Sequence, residues 1–179
     1  NINFSACIIG EPTNMKAITA HKGYNEYITH FTGLSGHASN PEGGVSAIEY
    51  AIRYSNKLME LRDELKKRIS SKTSFSPSYS TLQIGKISGG IGANVIADHC
   101  SLEWEVRPIN KNDGDFISNN IDTFAKNILL PEMKKNNPKG NIKKEIIGEV
   151  VGFDKEESSD AVNLVCNLTG DNSKDTMSF

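Results

Sequence analysis

One histidine, His37, sits in a loop whose composition can hold it in place: Gly33-Leu34-Ser35-Gly36-His37-Ala38-Ser39-Asn40-Pro41, closed by Gly43-Gly44. An imidazole serves as acid, base or ligand near neutral pH, although spacing alone leaves this one an ordinary loop histidine. A carboxylate, Glu11, follows the apolar run at residues 6–9 in Gly10-Glu11-Pro12-Thr13. That run reads as a buried strand of a parallel sheet, and ligand-binding residues collect beyond the C-terminal ends of such strands. The plain alternative for Glu11 is a solvated loop carboxylate. Asn94 ends a glycine-rich turn, Ser88-Gly89-Gly90-Ile91-Gly92-Ala93-Asn94. A phosphate loop would open a helix and carry Lys-Ser/Thr; this turn runs into a strand instead. Arg107 shares a polar strand face with Glu103 and Glu105, so its plain reading is a surface ion pair. His21 and His30 have no assignable chemistry, and His99 beside Asp98 reads as a strand-edge residue.

The rest of the chain must position these groups. Its 179 residues suit one domain, or one domain with parts of another, and a hydrophobic content of 37% supports a core. A net charge of −2 gives no bulk basic field to attract nucleic acid or anionic lipid. No apolar run approaches the roughly 20 residues of a membrane span, and no secretory leader is visible. Cys7, Cys100 and Cys166 are far apart in apolar settings. They read as reduced core residues of a cytoplasmic protein, since a zinc knuckle needs closely spaced pairs.

Residues 25–32 read as a strand with Tyr27, Thr29 and Phe31 on one face. A helix follows from about residue 46 to 69, where Ile48, Ala51, Ile52, Ser55, Leu58, Met59, Leu65 and Ile69 recur at three- and four-residue steps. Arg62, Lys66, Lys67 and Arg68 suit the negative end of its dipole. After a polar loop at 70–78, a strand starts at residues 82–84, and Gly85 marks a bulge. Residues 100–107 form a strand, with Leu102, Trp104 and Val106 on one side. Residues 110–115 read as a turn; their Asn and Asp content suggests calcium, but the bidentate glutamate is missing. A second helix carries Phe116, Ile117, Ile121, Phe124, Ile128 and Leu129 on its apolar side. Residues 134–140 break it, and 142–151 form a strand with Ile142, Ile146 and Val150 facing inward. Ser159 or Asp160 caps a short helix ended by Gly170, and residues 176–179 begin another strand. The middle order is therefore βαββαβ. It predicts an α+β, ferredoxin-like unit: a four-stranded antiparallel sheet with two helices on one face. That plan alone carries no function.

Taken together, Gly10-Glu11-Pro12-Thr13, Ala20-His21-Lys22-Gly23-Tyr24, Gly36-His37-Ala38-Ser39-Asn40-Pro41, Gly89-Gly90, Asn94-Val95-Ile96 and Glu105-Val106-Arg107-Pro108 resemble one family in order and spacing. It is the two-zinc amidohydrolases, which include acetylornithine deacetylase, succinyl-diaminopimelate desuccinylase and the glutamate carboxypeptidases. The Ala20–Tyr24 run and Leu168-Thr169-Gly170-Asp171-Asn172 lean towards the acetylornithine deacetylases. Ala97 stands where relatives often have proline, and Ser46 where many have asparagine.

The resemblance implies a catalytic domain holding two zinc ions and an inserted lid that forms a homodimer through a sheet edge and a helix. On that reading residues 20–150 are the lid. Residues 1–19 and 151–179 are short remnants of the catalytic domain. Glu11 matches a zinc ligand. His37 matches a histidine that enters the partner subunit's site and stabilises the oxyanion there. Asn94 and Arg107 match substrate-binding residues, with Arg107 on the substrate's α-carboxylate. The remaining ligands and the general base lie outside the chain, so it would bind no zinc and be inactive alone. The expected substrate is a small N-acyl amino acid, N-acetylornithine first, with succinylated or peptide substrates as alternatives. A third reading is a ligand- or RNA-binding module without catalysis, which the acidic third strand and net charge disfavour.

Overall fold

A computed structural model describes residues 7–69, 73–155 and 159–177. The elements are β1 (Ala17–His21), β2 (Tyr24–Thr32), β3 (Gly36–His37), α1 (Ala47–Lys67), β4 (Thr81–Gly89), β5 (Val95–Ile96), β6 (His99–Arg107), α2 (Lys111–Phe124), α3 (Leu130–Asn136), β7 (Asn141–Val150), α4 (Asp160–Thr169) and β8 (Lys174–Met177). A π-helical turn, Ala125–Leu129, joins α2 to α3.

The main sheet has the order β4-β6-β2-β7, and every neighbouring pair is antiparallel. This is the expected ferredoxin-like plan. Alternation along β2 and β6 makes it two-faced: Tyr27, Thr29 and Phe31 are buried with Leu102, Trp104 and Val106, while His30 on the opposite face is exposed. Onto the buried face pack Tyr54, Leu58 and Leu65 of α1 and Ile117 and Ile121 of α2. A polar contact crosses this core, where Trp104 Nε1 donates to Thr29 Oγ1 at 3.0 Å. Thr29→Val keeps the shape but orphans the buried indole N–H, so a loss of about 1–3 kcal/mol is expected from urea unfolding.

Local chemistry sets the element ends. Ser46 caps α1, its hydroxyl accepting from the Glu49 amide at 3.3 Å, and Lys66 and Lys67 occupy the last turn. The register between β4 and β6 slips between Ile84 and Lys86, which makes Gly85 the extra residue of the expected bulge. Gly170, at φ +72°, closes α4.

Several expectations are corrected. Residues 7–9 form no strand: Ile8 and Ile9 are 53% and 78% exposed, and no neighbouring strand pairs with them; Ala6 lies outside the described residues. Cys7 is exposed, so only Cys100 and Cys166 are the expected core cysteines. Residues 110–115, read as a turn, are a helix start, where Asn110 Oδ1 accepts from the Asp113 amide at 3.0 Å. Of the predicted break at residues 134–140, residues 134–136 belong to α3, which runs to Asn136, and 137–140 form the turn. Of the predicted buried stripe of α1, Ala51, Leu58 and Leu65 are buried, joined by Tyr54 and Leu61, whereas Ile52, at 48% exposure, Met59 and Ile69 are exposed. On β7 the register slips between the partners of Glu26 and Tyr27, and Ile146 and Val150 stay more than half exposed. β1 was not anticipated; it pairs in parallel with β8 in a separate two-stranded sheet. Residues 178–179 of the predicted last strand lie outside the described residues.

Candidate functional site

The candidate residues gather in two places. At one end of the main sheet, His37 pairs with Val95 through the short β3–β5 ladder. The next amide, Ala38 N, donates to Asn94 O at 3.0 Å, so the His37 loop and the glycine-rich turn are fastened together. Both His37 and Asn94 are exposed. At the base of the His37 loop, position 33 demands glycine, since a Cβ there would stand 2.0 Å from Val45 O.

The His37 ring has a defined orientation. Its Nδ1 accepts from the Ser39 amide at 3.2 Å and lies 2.7 Å from Ser39 Oγ. With Nδ1 accepting, the proton of the neutral imidazole resides on Nε2. The free nitrogen is therefore a donor, the form needed to meet negative charge on an oxygen. Ser39 is a partner that sequence reasoning missed. Its signal was the His-x-Ser spacing inside a tight turn.

Arg107 stands at the other end, the last residue of β6. Its Nε and Nη2 donate to the two carboxylate oxygens of Glu105 at 3.2 and 3.0 Å, and its guanidinium lies 4.4 Å from the centre of the Tyr24 ring. The Tyr24 hydroxyl in turn donates to Glu26. Sequence alternation foresaw an ion pair; Tyr24 emerges only once β2 and β6 are paired in register, with Asn25 opposite Val106. Arg107 and Glu11 share a cleft of about 650 Å³, lined also by Lys16, His21, Lys22 and Phe153. Glu11 is exposed there. Lys22 is buried, which pushes its ammonium below the usual lysine pKa.

The two places are far apart. The nine residues of β6 separate them, a span of roughly 27 Å at strand rise. His37 and Asn94 are brought together, and so are Arg107 and Glu11, but the first pair does not reach the second within one chain. Among the described residues no three His, Cys, Asp or Glu side chains converge on a metal-sized site. The residues present therefore do not fit a two-metal centre by themselves, and Glu11 offers a single carboxylate.

A family model for the peptidase dimerisation domain matches residues 19–133. Acetylornithine deacetylase of Pasteurella multocida is 40% identical over 109 residues, covering 61% of this chain and 28% of that protein. The same-named protein of Proteus mirabilis is 44% identical over 102 residues, covering 57% and 26%, and that of Aliivibrio salmonicida is 39% identical over 122, covering 68% and 32%. The chain thus spans between about a quarter and a third of the length of these curated relatives. Among solved structures, an aminopeptidase from Bacillus cereus aligns over 92% of this chain and 40% of its own with a TM-score of 0.64 at 20% identity. A tripeptidase from Staphylococcus aureus gives a TM-score of 0.64 at 18% identity, covering 92% and 40%. At such identity these two speak for the fold alone. With the family model spanning more than half of its residues, and the fold in agreement, the chain belongs to the peptidase dimerisation domain family.

Proposed function

We propose that this chain is the lid and dimerisation unit of a zinc-dependent deacetylase that hydrolyses N-acetyl-L-ornithine to L-ornithine and acetate. Residues 20–150 form the lid, and 1–19 and 151–179 belong to the catalytic domain. The enzyme works as a cytoplasmic homodimer. The 39–44% identity to acetylornithine deacetylases supports the substrate, and isolated free cysteines support the compartment.

The observation that carries the reading is the separation of the two half-sites. β4 is an edge strand. Its last residue, Gly89, leads into the turn bearing Asn94, and its first, Thr81, lies opposite Arg107. A two-fold axis through the middle of β4 pairs it antiparallel with its copy, an isologous contact. The His37–Asn94 end of one protomer then meets the Arg107–Glu11 end of the other. Ile52 and Met59 are exposed on α1, which packs against β4, and supply apolar area that the contact would bury. Ile52→Glu with Met59→Glu is expected to convert the dimer to a monomer by sedimentation, because each places a charge in an apolar contact.

In the joined site, Arg107 offers a planar fork to the substrate carboxylate. Its bidentate hold on Glu105 must then loosen, so Glu105 acts as a placeholder for the substrate's own carboxylate. His37 Nε2–H and the Asn94 amide donate to the oxygen that gains charge as the amide carbon becomes tetrahedral. Glu11 would offer its one carboxylate to a metal held mainly by residues outside this chain.

Subunit complementation tests the proposal. In the full-length enzyme, His37→Ala and Arg107→Ala are each expected to be nearly inactive. When they are mixed and allowed to exchange, half of the dimers place both lesions in one site and leave the other intact. Activity should return to about a quarter of wild type. No recovery would mean that His37 and Arg107 serve the same subunit, which contradicts the reading.

A further inference from the structure

Lys22 is 1% exposed, and its ammonium meets only backbone oxygen: Nζ donates to Pro77 O and to Tyr79 O, both at 2.8 Å. The buried Phe75 ring lies 5.9 Å away. Among the described ion pairs Lys22 has no carboxylate partner. A buried cation without a counter-ion is costly unless its hydrogen bonds are worth keeping.

Its position gives those bonds a purpose. Lys22 lies between β1 and β2, where the chain leaves the two-stranded sheet for the four-stranded one. The chain returns beside it. His21 N donates to Phe153 O and Phe153 N to His21 O, both at 3.1 Å. A Cβ on Gly152 would lie 2.6 Å from Gly23 N, so the two crossings touch backbone to backbone. A bare joint of two extended strands bends easily. Here a third segment lies across it. Thr176 Oγ1 of β8 donates to Ser74 O at 3.4 Å. Six residues on, Ser80 Oγ donates to Asp113 of α2 at 2.5 Å. Lys22 grips the same segment midway, at Pro77 and Tyr79.

We infer that residues 74–80 form a strap across the joint between the two sheets, and that Lys22 is the positioning residue that fastens it and fixes the angle between them. Glu11 and Arg107 lie on opposite sides of this joint in one cleft. On the proposed function, which this consequence alone rests on, the strap sets how the metal-side carboxylate faces the substrate-side arginine.

Spin labels on the full chain read the angle directly. Asn56→Cys on α1 and Asn167→Cys on α4 are exposed sites, placed in a Cys7→Ser background because Cys7 is the exposed native thiol. Dilution with unlabelled chain leaves only distances within one chain. The wild-type strap is expected to give one narrow distance. Lys22→Met, close in length but without charge or donors, should broaden the distribution about twofold while the circular dichroism spectrum is retained. If Lys22→Met does not fold, a two-glycine insertion after Pro77 lengthens the strap with Lys22 intact and should broaden it likewise. A folded variant of either kind with an unchanged narrow distance overturns the inference. This readout needs no catalysis, so it stands or falls apart from the complementation result.

Discussion

On the proposed function, His37→Ala in the full-length enzyme is expected to lower kcat about 10²- to 10³-fold, the usual loss of one oxyanion donor. KM should change little, because the donor acts on charge that exists only in the transition state. Metal content should stay the same, since nothing ties the ring to a ligand. Ser39 gives a graded control. Its amide and hydroxyl both address Nδ1, so Ser39→Ala removes one of two contacts and leaves the tautomer in place; a loss of only a few-fold is expected. Steady-state kinetics on the two variants separates the roles. A normal kcat for His37→Ala would remove the ring from the reaction. Equal losses for both would mean that the turn, rather than the imidazole, was being measured.

The βαββαβ order was legible because each main strand and helix repeats at its own period. Leu102, Trp104 and Val106 alternate with Glu103, Glu105 and Arg107, and one side of that strand is covered by helices. Where two apolar surfaces compete for one helix, the period is right but the face is drawn too wide: Ala51, Leu58 and Leu65 are buried as expected. Ile52 and Met59 are as hydrophobic as core residues, yet they stand outside a stripe filled by Tyr54, Leu58 and Leu61. Hydropathy does not distinguish a face turned to the core from one turned to another molecule. The run at residues 6–9 failed for a different reason: a strand is made by its neighbours, and none pairs with residues 7–9. Asn110 and Asp113 looked like loop residues because the side chains that favour turns are those that cap helices. The candidate residues could be picked out one by one in the sequence from the glycines around His37 and Asn94. Their gathering in two separate places could not, because that depends on where β6 begins and ends relative to the loops. The roles of Tyr24 and Lys22 become visible only through contacts that close in space.

The largest stability loss is expected from Asp113→Ala. Asp113 is 3% exposed, and its carboxylate collects donors from three segments. Arg68 Nε, at the C-terminal cap of α1, reaches Oδ1 at 2.7 Å; Ser80 Oγ, before β4, reaches Oδ2 at 2.5 Å; Asn110 Nδ2, at the cap of α2, reaches Oδ2 at 3.3 Å. Ser80 also accepts from the Ile109 amide at 2.8 Å, so the turn before α2 hangs on the same knot. The carboxylate further stands in the first turn of α2, where the helix dipole favours it. Alanine removes the acceptor and leaves Ser80, which is 0% exposed, with a buried hydroxyl proton and no partner. Arg68 is 41% exposed and can turn to water, which limits the damage on that side. A cost of about 3 kcal/mol follows, at the lower end for breaking a buried ion pair. Asp113→Asn keeps an acceptor but loses the charge, and about half that cost is expected. Urea unfolding should show a lower midpoint at unchanged slope for both. The exposed pairs Asp63–Lys66 and Glu64–Lys67 on α1 serve as the contrast. Their bonds are as short, but water already solvates both partners, so Asp63→Ala should leave the midpoint where it was. If Asp113→Ala costs no more than Asp63→Ala, the three segments are held by apolar packing, and the buried carboxylate is incidental to the fold.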